Sequence, residues 1–130
     1  MLRSKLHYRG GTIRMERGQV ADAIASFYDA VSSAMTAAFL EVAGSEGAVK
    51  LRSYDDHDIF LELKRARRID GTFSSDDFDY ICDTAEQALE FILDGFNADR
   101  FVSAVEIILA QLGVLPIADG ELSEGQYETL

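Results

Sequence analysis

Most of the residues that catalytic and metal sites are built from are scarce in this chain. It has one cysteine, Cys82, two histidines, His7 and His57, one proline, Pro116, and no tryptophan. A single cysteine excludes an internal disulfide and is compatible with a reducing compartment. No His-x-x-x-His or Cys-x-x-Cys spacing occurs, so the usual transition-metal signatures are missing. Gly10-Gly11 has neither the spacing nor the preceding strand of a phosphate-binding loop. Sustained strand alternation is absent, and the short run 114–117 is interrupted by Pro116. No apolar run approaches the roughly 18 residues of a membrane span, and the first residues lack the apolar core of a signal peptide. The expectation is a cytoplasmic chain with no membrane partner and no cofactor.

Basic residues are also few, 12 against 23 acidic, for a net charge of −11. Residues 1–17 carry five basic side chains and one acidic; residues 55–130 carry five basic and eighteen acidic. The acidic remainder disfavours nonspecific binding of nucleic acid or an anionic membrane. The basic start is expected to dock on the protein's own acidic part, or on an acidic partner.

What the chain does have is helical periodicity. An apolar fraction of 48% over 130 residues suits one globular domain with a real core. The organising stretch is 20–42, where Val20, Ala23, Ile24, Phe27, Val31, Ala34, Met35, Ala38 and Val42 recur in steps of three and four. Small residues at Ala23, Ala30, Ala34, Ala37 and Ala38 leave room for a second helix to approach. A weaker helix precedes it at 3–16, with Leu6, Ile13 and Tyr8 inward, and the pair Gly10-Gly11 suggests close approach of another backbone or a kink. Residues 43–53 read as a polar, mobile loop.

A third helix is expected at 56–69. Asp55, Asp56 and Asp58 crowd its start and Lys64, Arg65, Arg67 and Arg68 its end, which suits the helix dipole. Gly71 is its expected stop. The fourth follows a capping box from Ser74 to Asp77. Its face runs through Phe78, Ile81, Cys82, Ala85, Leu89, Ile92 and Phe96, with Gly95 and Asn97 as the close. The fifth spans 98–112, ended by Gly113 and Pro116. The whole reads as all-α, a small antiparallel bundle of about five helices: one domain over 1–116 and a poorly ordered acidic tail over 117–130.

Gly11, Gly18, Ala23, Phe27 and Ala30, with the run Gly18-Gln19-Val20-Ala21-Asp22-Ala23-Ile24, give residues 7–35 a resemblance to one tetratricopeptide repeat, a tightly crossed helical pair. His7, Gly10, Arg14 and Met35 stand where that family places an aromatic, leucine, tyrosine and proline, and no second copy follows. The resemblance implies protein interaction. A second resemblance rests on Arg52 and His57, separated by Ser-Tyr-Asp-Asp. That spacing is similar to the ribonuclease site of HEPN-type helical-bundle domains, often associated with nucleotidyltransferases, and it implies RNA cleavage.

Other clusters have simpler readings. Asp55, Asp56, His57 and Asp58 read as an acidic first turn rather than a metal site, because successive residues cannot all face one ion. Cys82 lies on an apolar face among acids and reads as a small buried hydrophobe, not a nucleophile. Asp79, Asp83, Glu86 and Glu90 form a solvated face or a docking face for something basic. Lys64, Arg65, Arg67 and Arg68 are expected to pair with that face or, less economically, to bind an acidic ligand. The leading expectation is a noncatalytic interaction module, a helical adaptor binding another protein or a second copy of itself. Its contact residues would be Arg9, Arg14 and Arg17 on the first helix and Asp83, Glu86 and Glu90 on the fourth.

Overall fold

A computed structural model describes residues 1–122. Those residues form α1 (Leu2–Glu16), α2 (Val20–Ala43), α3 (Gly47–Leu51), α4 (Asp56–Arg65), α5 (Ser75–Leu89) and α6 (Ala98–Gln111), and no strand occurs among them. The protein is an all-α bundle, and α2 is its axis: it packs against each of the other five helices. Two flanks of α2 are covered, so its buried face is broad. Ser26, Ala30 and Phe39 join the expected stripe, while Val42 is 42% exposed. A strict step of four from Ala38 to Val42 advances about 40° beyond a full turn, which carries Val42 off the covered face.

The stretch Val20–Leu51 also contains an 18-residue window of mean hydropathy 1.3, long and apolar enough to cross a membrane by length and composition. This corrects the expectation that no such run exists. Half of that window is buried inside the bundle, as suits a central core helix.

Helix α1 lies antiparallel on α2 and meets it through small residues. The Ser4 hydroxyl donates to the Ala30 carbonyl at 2.6 Å, and Gly11 lies directly on the Phe27 ring. Tyr8 meets Phe27 edge-on at 5.7 Å, and its hydroxyl donates to Glu106 on α6. Ile13, expected inward, is only half-buried. On the other side of α2, Phe60 of α4 stacks on Phe78 of α5 with centroids 4.6 Å apart, and Phe73 closes on Phe60 at 6.2 Å.

The expected mobile loop after α2 is mostly helical. A 3₁₀ turn, Gly44–Glu46, leads into α3, and Gly47 is buried against Leu40. Tyr54 then packs on Phe39 at 5.5 Å, which ties the connection to the core.

Helices α4 and α5 start at reciprocal capping boxes, Asp55 with Asp58 and Ser74 with Asp77. Both end earlier than the periodicity implies. Arg67 (φ 60°) and Phe91 (φ 56°) adopt the left-handed conformation directly after the helix, where glycine is usual. Their amides and the next ones bond back to Lys64, Leu63, Ala88 and Gln87 carbonyls, the Schellman pattern. Gly71 and Gly95 therefore lie in loops rather than at helix ends.

The first part of the expected tail is placed on α1. Lys5 pairs with Glu121, the Arg9 guanidinium donates to the Leu122 carbonyl at 3.1 Å, and Leu122 is 9% exposed. Residues 123–130, the rest of that tail, lie outside the described residues.

Candidate functional site

Between the N-terminal half of α2, the first turn of α4 and the C-terminal half of α5 lies an open groove of about 780 Å³. Its apolar lining is short-sided, from Ala21 and Ala25 of α2 and Ala85 and Ala88 of α5, and it ends at Leu89 and Phe91. Small residues here stop the helices' outer faces from filling the trough between them. Carboxylates edge it: Asp22 and Asp29 from α2, Glu86 from α5, Asp55 and Asp56 from the entry to α4. Among the described residues no lysine or arginine lines it.

At the inner wall, the Tyr28 hydroxyl donates to Asp56, which also accepts from the Ser32 hydroxyl at 3.4 Å. Burial, then the hydrogen bond to Asp56, pushes the Tyr28 phenol well above its ordinary value, so it stays a protonated donor. Burial first, then the charges of Asp56 and Asp79, pushes the Cys82 thiol up to about 12. A thiol held protonated this firmly is a poor nucleophile at neutral pH.

Of the two residues in the ribonuclease-like spacing, His57 reaches the groove and Arg52 does not. The His57 Nε2 lies 2.8 Å from Asp79 Oδ1, and its ring stands edge-on to Phe78 at 5.1 Å. Arg52 caps the C-terminus of α3, its amide donating to the Val49 carbonyl at 3.2 Å and its exposed guanidinium making no hydrogen bond or ion pair with a described residue. Among the described residues no group of three or more His, Cys, Asp or Glu side chains comes together to hold a metal ion. Asp55 and Asp58 are instead spent on the α4 cap, each side chain accepting from the other's amide.

The expected contact residues divide. Glu86 lines the groove, and Asp83 of α5 and its C-cap Glu90 are exposed. Of the three arginines only Arg17, the C-cap of α1, is fully exposed. Arg9 and Arg14 are half-buried and bonded internally, Arg9 to Leu122 and Arg14 to the Ser26 hydroxyl at 3.1 Å. Long cationic stems cover the thin α1–α2 seam, which draws these two inward. The basic end of α4 does not pair with α5. Arg68 meets Glu41 of α2 at 3.0 Å, Arg65 meets Glu62 of α4, and Lys64 donates to the Asp70 and Phe73 carbonyls. Among the described residues no lysine or arginine pairs with the outer carboxylates of α5, and Asp79 meets the His57 ring.

Sequence reasoning missed Tyr28, Asp56 and the alanines as a site. One signal was present: the outer face of α2 carries Ala21 and Ala25 where a solvated face would carry long charged side chains. Comparison of the chain with protein-family models, with curated proteins and with solved structures gives no match.

Proposed function

We propose that this chain is a noncatalytic protein-interaction module, a small helical adaptor that takes another protein in the α2–α5 groove. In this reading the α1–α2 hairpin, with its tetratricopeptide-like spacing, is the scaffold and the groove the working surface. The observation that carries it is the apolar lip of the groove. Leu89 is 74% exposed and Phe91 86% at the end of the groove, and Ile92, next in sequence, is 58% exposed. A contiguous exposed apolar patch rimmed by polar groups marks an interaction surface, and aromatic anchors supply much of the binding energy at such surfaces.

Photo-crosslinking tests this. A photoreactive residue is placed at exposed Ala25, in the groove, and separately at Glu46, outside it. The expected result is a discrete protein adduct from position 25 only, lost on combined charge reversal of Asp83, Glu86 and Glu90. Equal adducts at both positions, or recovery untouched by the reversal, would remove this face from consideration. RNA cleavage by the purified protein, abolished in His57→Ala, would replace the adaptor with the ribonuclease reading.

A further inference from the structure

The charge and shape of the groove narrow the kind of partner. We propose that its occupant is a basic amphipathic helix of a second protein, with its apolar side on Ala25, Ala85 and Ala88 and its lysines or arginines against Asp22, Asp29 and Glu86. This rests on the interaction-module reading and names the chemistry of its partner.

Three observations select that occupant. First, the side chains of Asp22, Asp29 and Glu86 form no hydrogen bond or ion pair with a described residue, only the charge of Asp29 acting on His7 from the far side of α2, and among the described residues the lining supplies no lysine or arginine. An apolar partner without cations would desolvate these carboxylates and leave them uncompensated. Second, the α2 wall from Ala21 to Asp29 is eight residues of helical rise, roughly 12 Å or about two turns. An alanine-floored trough of that length between two helices suits a third helix lying in it, read through residues spaced three and four apart. Strand addition needs a free sheet edge, and no strand exists among the described residues. Third, Leu89 and Phe91 extend the apolar surface beyond the alanine floor, which suits a partner longer than a small molecule.

A second copy of this chain is the poorer fit. Pairing groove to groove would set the same carboxylates against each other. The cationic Arg9 and Arg14 of α1 are already bonded within their own molecule.

Fluorescence anisotropy with two labelled synthetic peptides tests the proposal. One is an amphipathic helix of leucine and lysine; the other replaces each lysine with glutamate. The full chain is expected to bind the lysine peptide, more weakly as salt rises, and not the glutamate peptide. Binding should fall about tenfold or more in Ala25→Trp, which fills the groove from an exposed position, and in Asp22→Lys/Glu86→Lys. The charge-matched control Glu46→Lys/Asp119→Lys, outside the groove, should change little. Circular dichroism melts confirm that each variant folds. Equal binding of both peptides, no effect of Ala25→Trp, or equal weakening by the control would overturn the proposal. So would a concentration-dependent dimer of the chain alone that Ala25→Trp abolishes. If the peptides fail while the Ala25 crosslink still forms and still depends on the α5 charges, the adaptor reading stands and only the basic helix falls.

Discussion

Gly11 has no side chain because the Phe27 ring occupies the space one would take. A Cβ added there would lie 2.8 Å from Cδ1 of that ring and 2.9 Å from Cε1. Phe27 cannot retreat: it is 1% exposed, with Tyr8 against one side and Phe101 at 6.3 Å on another. Gly11→Ala should therefore destabilise the fold by about 1–3 kcal/mol, the usual cost of forcing an extra carbon into a packed core. Urea unfolding measures this, and an unchanged midpoint would mean that α1 slides off α2 freely. Arg67 presents the opposite case. It is exposed, holds φ 60°, and a β-carbon there meets its own backbone. Arg67→Gly should stabilise by roughly 0.5–1 kcal/mol, the relief of left-handed strain outweighing the greater entropy glycine has in the unfolded chain. A lower melting temperature would show that the guanidinium does more than cap.

Among the elements, α5 shows where sequence periodicity stops being informative. Phe78, Ile81, Cys82 and Ala85 pack as their spacing requires, yet the same spacing continues through Leu89 and Ile92, which are exposed. The helix is closed at Phe91 by bonds to the Ala88 carbonyl at 3.2 Å and the Gln87 carbonyl at 3.0 Å. Phe96 then reaches Phe101 of α6 at 5.9 Å from a loop, not from a helix. A left-handed phenylalanine has no sequence signature, whereas the glycine closures of α1 at Gly18 and α6 at Gly113 do, and those ends were legible. The groove was illegible for a related reason. Tyr28, Asp56 and Cys82 come from three helices, and no local pattern reports that they meet. Phe91→Gly separates the two roles of this helix end. It should raise the melting temperature, since glycine suits φ 56°, while weakening partner capture by removing the aromatic from the lip. Stability and capture falling together would instead make Phe91 a structural closure with no docking role.

Across the whole molecule, the distribution of charge decides how solution conditions act. Of the basic side chains, Lys5, Lys50, Arg65 and Arg68 are paired with carboxylates, and Lys64 is held by carbonyls. None of these reaches the outer face of α5, where Asp79, Asp83 and Glu86 and the C-cap Glu90 follow one another at helical spacing and, among the described residues, no lysine or arginine pairs with them. Like charges one turn apart on a helix each cost about 0.2–0.5 kcal/mol, and a net charge of −11 adds longer-range repulsion. Raising salt from about 0.01 M to about 0.15 M shortens the screening length from roughly 30 Å to about 8 Å and removes most of that repulsion. The melting temperature should therefore rise with sodium chloride over this range, and the rise should shrink in Asp83→Asn/Glu86→Gln. A fall with salt would mean that the surface ion pairs outweigh the repulsion, against the small contribution such exposed pairs usually make. The same imbalance links stability to binding: a cationic segment in the groove neutralises the carboxylates that added salt merely screens, and a ligand bound only by the folded state raises its melting temperature. The lysine peptide should then stabilise the protein most at low ionic strength, where repulsion is greatest, with the shift fading as salt takes over its role.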